Sequence, residues 1–379
     1  MGQEQEVIDL GGNMRDQRIT KLAQNLIQYS VQLQPGEKLL IDLPNGGEEI
    51  ASALVEEAYR AGGIPFVNLE SEVIRKALLM GATKEQYEYQ LKYDLERMKD
   101  MDAYIAVRRV DNLYQMSDVP ADKMKIYTEY SGPLHLGERC KNTKWCILGY
   151  PTNSFAQMAH MSTAAFEDYY FDVCTLDYAK FTELMEPLRA LMAKTDKVHI
   201  KAPGTDLTFS IKGCWAGICG GRFNIPDGEV GLGEIVKDSV NGTIAYNVPS
   251  HYQGTVFTDI KFTFKNGKIV EATANDTEKL NAILDTDEGA RYIGEFSIGT
   301  NPFMTHPIYN TLFDEKMIGS FHFTPGCNSS IHWDLIQSQK PECGGGEIWF
   351  DDVLIRKDGE FVLDELLHLN QEALKEALS

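Results

Sequence analysis

Apolar positions in the first half of the chain switch repeatedly between helical and strand periods. In residues 16 to about 33, Ile19, Leu22, Ala23, Leu26, Ile27, Ser30 and Val31 form one stripe of an amphipathic helix, which Pro35-Gly36 stops. A short apolar strand follows at 38–43. Gly46-Gly47 then opens a helix through Arg60, and Ala61-Gly62-Gly63 ends it. The alternation repeats with a strand at 64–69, helices at 71–79 and 83–101, and a strand at 103–107. A helix at 124–140, broken near Gly132-Pro133, leads to a fourth strand at 144–148, and further helices fill roughly 163–193. Strands that alternate with helices imply a mainly parallel sheet covered on both faces.

From about residue 197 strands and glycine-rich turns dominate. Strands are predicted at 206–211, 242–246 and 255–264, with Asn266-Gly267 as a hairpin turn into 268–270. A helix is predicted at 277–284. Residues 347–362 read as a small meander, and a helix from Asp364 closes the chain. The pattern predicts an α/β N-terminal domain (1–196) with a mainly parallel sheet, then an α+β metal-binding domain (197–379). For 379 residues two domains are the natural expectation. The first half has the texture of a nucleotide-binding fold but no G-x-G-x-x-G after its first strand, and no G-x-x-x-x-G-K-[S/T] occurs anywhere. A nucleotide cofactor is therefore not implied.

Charge narrows the partners. With 56 acidic against 36 basic residues the net charge is -20, spread along the chain. That balance disfavours nucleic acid and anionic membranes and fits a soluble cytoplasmic enzyme. The 7 cysteines are odd in number and without a pairing pattern, which points to a reducing compartment. Cys214 and Cys219 are expected to be buried thiols. The start, Met1-Gly-Gln-Glu-Gln-Glu6, lacks the features of a signal peptide, and no apolar run reaches transmembrane length.

Candidate chemistry concentrates in residues 319–336, which contain His322, His332 and Asp334. In extended chain His332 and Asp334 share one face, while Ile331, Trp333 and Leu335 take the other and anchor it. His322 lies between Phe321 and Phe323, and Pro325-Gly326 can fold one run back onto the other. Two imidazoles and a carboxylate then converge, a donor set that suits zinc, cobalt or manganese. A lone H-x-D reads more simply as a core histidine beside a turn acid; three ligand-type residues in so short a span put a metal site on an even footing with that reading. Two further acids qualify. Glu229 follows a Pro-Asp-Gly turn that presents it from a stiff base, although a solvated glutamate is the simpler reading of that segment alone. Glu295 lies between Gly294 and Phe296 in an apolar run, where a carboxylate needs a partner, either a metal or nearby Arg291. Three carboxylates and two imidazoles can hold a pair of divalent ions.

Several segments, taken together, resemble one family. They are Pro226–Val230, the Arg-x-x-Gly-Glu of 291–295, Tyr-Asn-Thr-Leu-Phe-Asp-Glu at 309–315, the His322 segment, and Ile-His-Trp-Asp-Leu at 331–335. In order and approximate spacing they are similar to the aminopeptidase T family of thermophilic or leucyl metallo-aminopeptidases, as are 204–209 and 238–243. The likeness runs from about 197 to the C-terminus; the first half matches in length and pattern. It implies a homodimeric aminopeptidase that releases N-terminal amino acids from peptides through water activated by two divalent ions (Zn, Co or Mn). The ligands it implies are Glu229, Glu295, His322, His332 and Asp334. No residue is assigned as general base. One departure stands out. Family members carry a tyrosine seven residues after the first ligand histidine, and here that position is Ser329, in a shortened segment between the two histidines. A lost phenol weakens oxyanion stabilisation, with Tyr309 and Tyr292 as the substitutes to check. Two other readings remain at this stage. One is a metal- and peptide-binding protein with little or no hydrolysis; the other is a metal-dependent hydrolase of non-peptide amides.

Overall fold

The computed structural model describes residues 15–378. Four central strands, Ile64–Glu70, Lys38–Pro44, Ala103–Arg108 and Lys144–Gly149, lie side by side in parallel. Both faces of the middle strands are apolar because helices cover the sheet from two sides. The fifth strand comes from beyond residue 197. Asn224–Ile225 pairs in parallel with Ile147 and Leu148. The chain thus returns to the first sheet just before Pro226-Asp227-Gly228 and is held there as it enters Glu229.

The second half contains two larger antiparallel sheets. One has eight strands and includes Lys197–Ala202, Thr205–Ser210 and the meander Glu347–Phe350, Val353–Lys357 and Glu360–Phe361. The other, which we call the site sheet, has the order Ile336–Ser338, Ser320–Pro325, Ile293–Gly299, Glu229–Leu232 and Ala216–Cys219. The two sheets meet across aromatic rings. Phe209 lies 4.9 Å from Phe323 and 5.0 Å from Phe296, centroid to centroid, and Phe264 lies 6.0 Å from Phe323. Helix Tyr178–Lys194 packs on strands Ala216–Cys219 and Glu229–Leu232, joining the first half to the site sheet.

Some elements differ from the sequence pattern. The extended run at 255–264 is two strands, Thr255–Phe257 and Lys261–Lys265. Asp259 takes a positive φ of 55°, and the Asn275 side chain accepts from the Thr258 amide, so the run turns and serves two sheets. The helix expected to break near Gly132-Pro133 instead continues. Ala121–Gly132 passes into a wider turn, Pro133–Arg139. Proline lacks the amide that the regular ladder needs, and an extra residue per turn accommodates it. The C-terminal segment opens as a tight turn of helix, Asp364–Leu369, before Gln371–Leu378. All seven cysteines are free. Cys214 and Cys219 are half-buried rather than buried, because they lie at or near the outermost strand of the site sheet. Among the described residues no helix is long and apolar enough to cross a membrane.

Candidate metal centre

Register in the site sheet assembles the first three candidates. Ser297 faces His322 on one side and Gly231 on the other, and Gly299 faces Glu229. Residues opposite one another, or two apart on a strand, share a face. Glu229, Glu295, Ser297 and His322 therefore point the same way. Phe296, Phe321 and Phe323 point the other way, into the core. A bulge between Ile293 and Glu295 sets the aim of Glu295. Glycine is required at 231: an added Cβ would fall 1.7 Å from Ser297 Oγ. That hydroxyl donates to Glu295 Oε1 at 3.0 Å.

The remaining two candidates arrive on the return run. Gly326, at φ 119°, turns the chain, and strand Ile336–Ser338 pairs antiparallel with Ser320–His322. Residues 331–335 alternate without forming a regular strand. Ile331, Trp333 and Leu335 are buried, with His332 and Asp334 on the opposite side. Trp333 is fixed by a hydrogen bond from Nε1 to Ser250 Oγ at 2.8 Å and by stacking on Tyr252 at 4.5 Å. Thr324 Oγ1 donates to Asp334 Oδ1 at 2.8 Å.

All five candidates converge. His322 Nε2 lies 3.3 Å from Glu295 Oε1, and His322 Nδ1 lies 3.5 Å from Glu229 Oε2. His332 Nε2 lies 3.4 Å from Glu295 Oε2 and 3.1 Å from Asp334 Oδ1. Two sets of donor atoms, Glu229/Glu295/His322 and Glu295/His332/Asp334, each lie within 4.8 Å of one another. Glu295 belongs to both. Donors held about 2.0–2.1 Å from one tetrahedral zinc sit about 3.3–3.4 Å apart, close to the spacings seen here. Glu229 Oε2 and His322 Nδ1 are also buried without a hydrogen-bond partner. Such groups are costly unless something satisfies them, and a cation between them would. The residues present therefore fit divalent ions.

Electrostatics agree with a site built for positive charge. Burial works against the His322 imidazolium, yet the charges of Glu229, Glu295 and Asp334 outweigh it and raise its pKa to about 10. His332 is raised to about 9, chiefly by its hydrogen bond with Asp334. Burial pushes Glu315 up to about 8 and Asp227 up to about 6.

Two residues that the sequence pattern did not single out complete the cluster. Lys316 is buried, with Nζ 2.6 Å from Glu229 Oε1 and 2.7 Å from Glu315 Oε1. Burial disfavours its charge, but Glu229, Glu315 and Asp227 hold the pKa well above the ordinary lysine value. Asp227, expected only to form a turn, accepts from the Gly221 and Gly228 amides at 2.7 and 3.0 Å and lies 3.6 Å from Lys316. The available signal was the charged run Asp-Glu-Lys directly before the apolar Met317-Ile318 and the buried strand that carries His322. Arg291, offered as a partner for Glu295, instead bonds Asp285 and Asn281 at 2.6 and 2.9 Å. A bulge separates it from the face of Glu295.

Ser329 is a loop anchor. Its Oγ donates to Asp287 Oδ1 at 2.7 Å, and the Ser330 amide and hydroxyl bond the other oxygen. Of the tyrosines considered in its place, Tyr292 lies under the Lys237 ammonium at 4.2 Å. Tyr309 lines a cavity of about 490 Å³ with His160, His251 and Asn112. The strand carrying His251, Ser250–Tyr252, is the one that stacks on Trp333 beside the cluster.

Comparison with known proteins gives consistent results. The family described as thermophilic metalloprotease (M29) matches residues 15–361. Aminopeptidase AmpS of Bacillus subtilis is 26% identical over 79% of this chain and 82% of its own length. Among solved structures, wild-type AmpT from Thermus thermophilus superposes with a TM-score of 0.78 at 21% identity, covering 92% of this chain and 99% of that one. A 2,5-dihydroxypyridine dioxygenase from Pseudomonas putida KT2440 shares the fold at a TM-score of 0.57 and 12% identity, over 92% of this chain and 98% of its own.

Proposed function

We propose, for a chain that belongs to the thermophilic metalloprotease (M29) family and is a metal-dependent aminopeptidase acting on peptides, that Glu229, Glu295, His322, His332 and Asp334 hold two divalent ions, zinc, cobalt or manganese. The observation that carries the assignment is the pair of three-donor sets that share Glu295. When bound, such ions supply a nucleophilic water at neutral pH and Lewis-acid polarisation of the scissile carbonyl. The chain's own residues do the rest. Glu295 links the two positions, and Ser297 and Thr324 orient Glu295 and Asp334 through the hydrogen bonds described above. The exposed edge of His332 opens the cluster to solvent, with its side chain 56% accessible against 1% for His322. A cytoplasmic homodimer belongs to the same reading. The seven free cysteines support the compartment, the family resemblance supports the dimer, and a monomeric mass in light scattering would remove the latter. We also place the unit boundary at 196/197, with Asn224–Ile225 reaching back to the first sheet; limited proteolysis that nicks elsewhere would move it.

The test of function is release of free leucine from leucine amide by protein reconstituted with each metal in turn. Hydrolysis that a chelator abolishes and metal restores is the expected result. Metal-loaded protein that binds an N-terminal amino acid but releases none would defeat the reading.

A further inference from the structure

Lys316 divides the cluster into unlike halves. Its ammonium nitrogen lies 2.6, 2.7 and 3.6 Å from carboxylate oxygens of Glu229, Glu315 and Asp227. The side chain is 2% accessible, so the charge is held by packing and cannot swing into water. Asp227 and Glu229, with the Cys219 thiol, form a third set of ligand-type atoms within 4.8 Å of one another. That set could hold a cation, and the chain's own ammonium already ion-pairs with two of its three members. Glu229 is thereby split: Oε1 takes the lysine, and Oε2 is left facing His322 Nδ1. On the other side of the cluster, the groups of opposite charge within 4 Å of Glu295 and Asp334, among the described residues, are histidines. A histidine that gives up its proton to bind an ion frees these carboxylates as it does so; the buried ammonium of Lys316 stays.

We infer that Lys316 makes the two ion positions unequal: one divalent ion binds tightly at Glu295, His332 and Asp334, and a second binds far more weakly at Glu229, Glu295 and His322. The inference rests on the metal assignment of the preceding subsection. The physical cause is twofold. Glu229 has already spent half of its charge on a buried cation. A divalent ion at Glu229 also sits within a few ångströms of a fixed ammonium in a medium that screens poorly. Together these separate the two affinities by on the order of 10²-fold or more. An ammonium that only neutralises surplus acid for the fold would be important for stability but would leave the affinities alike.

The experiment is a zinc titration of the full chain after chelator treatment, with bound zinc counted by elemental analysis at buffered free-zinc concentrations. The unsubstituted protein is compared with Lys316→Gln and Lys316→Met. The expected result is one tight ion per chain in the unsubstituted protein, with the second filling only at roughly 100-fold higher free zinc. In the lysine variants the second ion moves to within about tenfold of the first. Two ions of similar affinity in the unsubstituted protein would overturn the inference, whatever the variants do. So would a gap that persists in variants with unchanged circular dichroism. If neither lysine variant folds, Glu229→Gln decides: it should remove the weak ion and spare the tight one, and loss of the tight ion instead would refute the ranking. Uptake of no zinc at any concentration would defeat the metal assignment itself, and is distinguishable from all of these.

Discussion

Two central strands, one from each half, show how differently buried chain can be used. Ala103–Arg108 is buried through its first five residues, and the polar atom among their side chains, the Tyr104 hydroxyl, donates to Asp42 at 2.9 Å. Ser320–Pro325 is equally buried, but every second residue before the proline is polar: Ser320, His322 and Thr324. One face of the second strand is core, with Phe321 and Phe323. The other is a dry polar surface whose groups satisfy one another, as Thr324 does Asp334, or stay unsatisfied, as His322 Nδ1 does. Burying such a face opposes folding. An apolar face on the same strand supplies the packing that offsets this, while the polar face carries the proposed metal ligands. On the proposed assignment the parallel sheet carries stability, and the site sheet carries both stability and chemistry, on opposite faces.

That division can be tested directly. The largest effect is expected at Glu295, which belongs to both proposed ligand sets. Glu295→Gln keeps the size and the Ser297 hydrogen bond but removes the charge. Turnover on leucine amide should fall by on the order of 10²–10³-fold or more, since losing a residue that merely supports a ligand already reduces metal affinity 10–100-fold. The unfolding temperature should move by only a few degrees. A variant with near-normal turnover would show that the polar face of the site sheet is not the catalytic one.

Ile105→Ala is the mirror experiment. The side chain is fully buried in the parallel sheet, and its truncation should destabilise the protein by about 2–5 kcal/mol. Turnover per folded molecule and bound metal should be unchanged in urea-free buffer. If metal content falls along with stability, the two halves are more tightly coupled than the comparison holds.

A smaller and more local effect is expected at Asp314, on the segment that leads to Lys316. Burial raises its carboxyl to about 7, against hydrogen bonds from the Ile308, Tyr309 and Asn310 amides. In the unfolded chain it titrates near 3.8. The folded state therefore binds the extra proton between these values, so stability is full below the unfolded pKa and declines as pH rises through about 7. The slope is at most about 1.4 kcal/mol per pH unit. Asp314→Asn should flatten this part of a chemical-denaturation profile measured from pH 4 to 8. An unaltered profile would mean that Asp314 stays ionised in the fold.

What the sequence determined by itself was periodic or local. The alternation of strands with helices, the period-two pattern around His322 and His332, and the Pro-Gly turn between them depend on neighbours a few residues away, and all reappear in the structure. The family likeness, too, is a matter of short segments in order. The tertiary structure alone decided which distant groups meet. Lys316 and Glu229 are 87 residues apart, and nothing near either one states that they pair. The edge strand Asn224–Ile225 joins a sheet built from the first 150 residues, which only packing could select. Arg291 turned to Asp285 because a bulge moved Glu295 to another face, and Ser329 tied down a loop through an aspartate 42 residues away. Periodicity fixes the face on which a side chain lies. Register, bulges and long-range contacts fix what stands opposite it, and in a buried cluster of charges that second decision sets the chemistry.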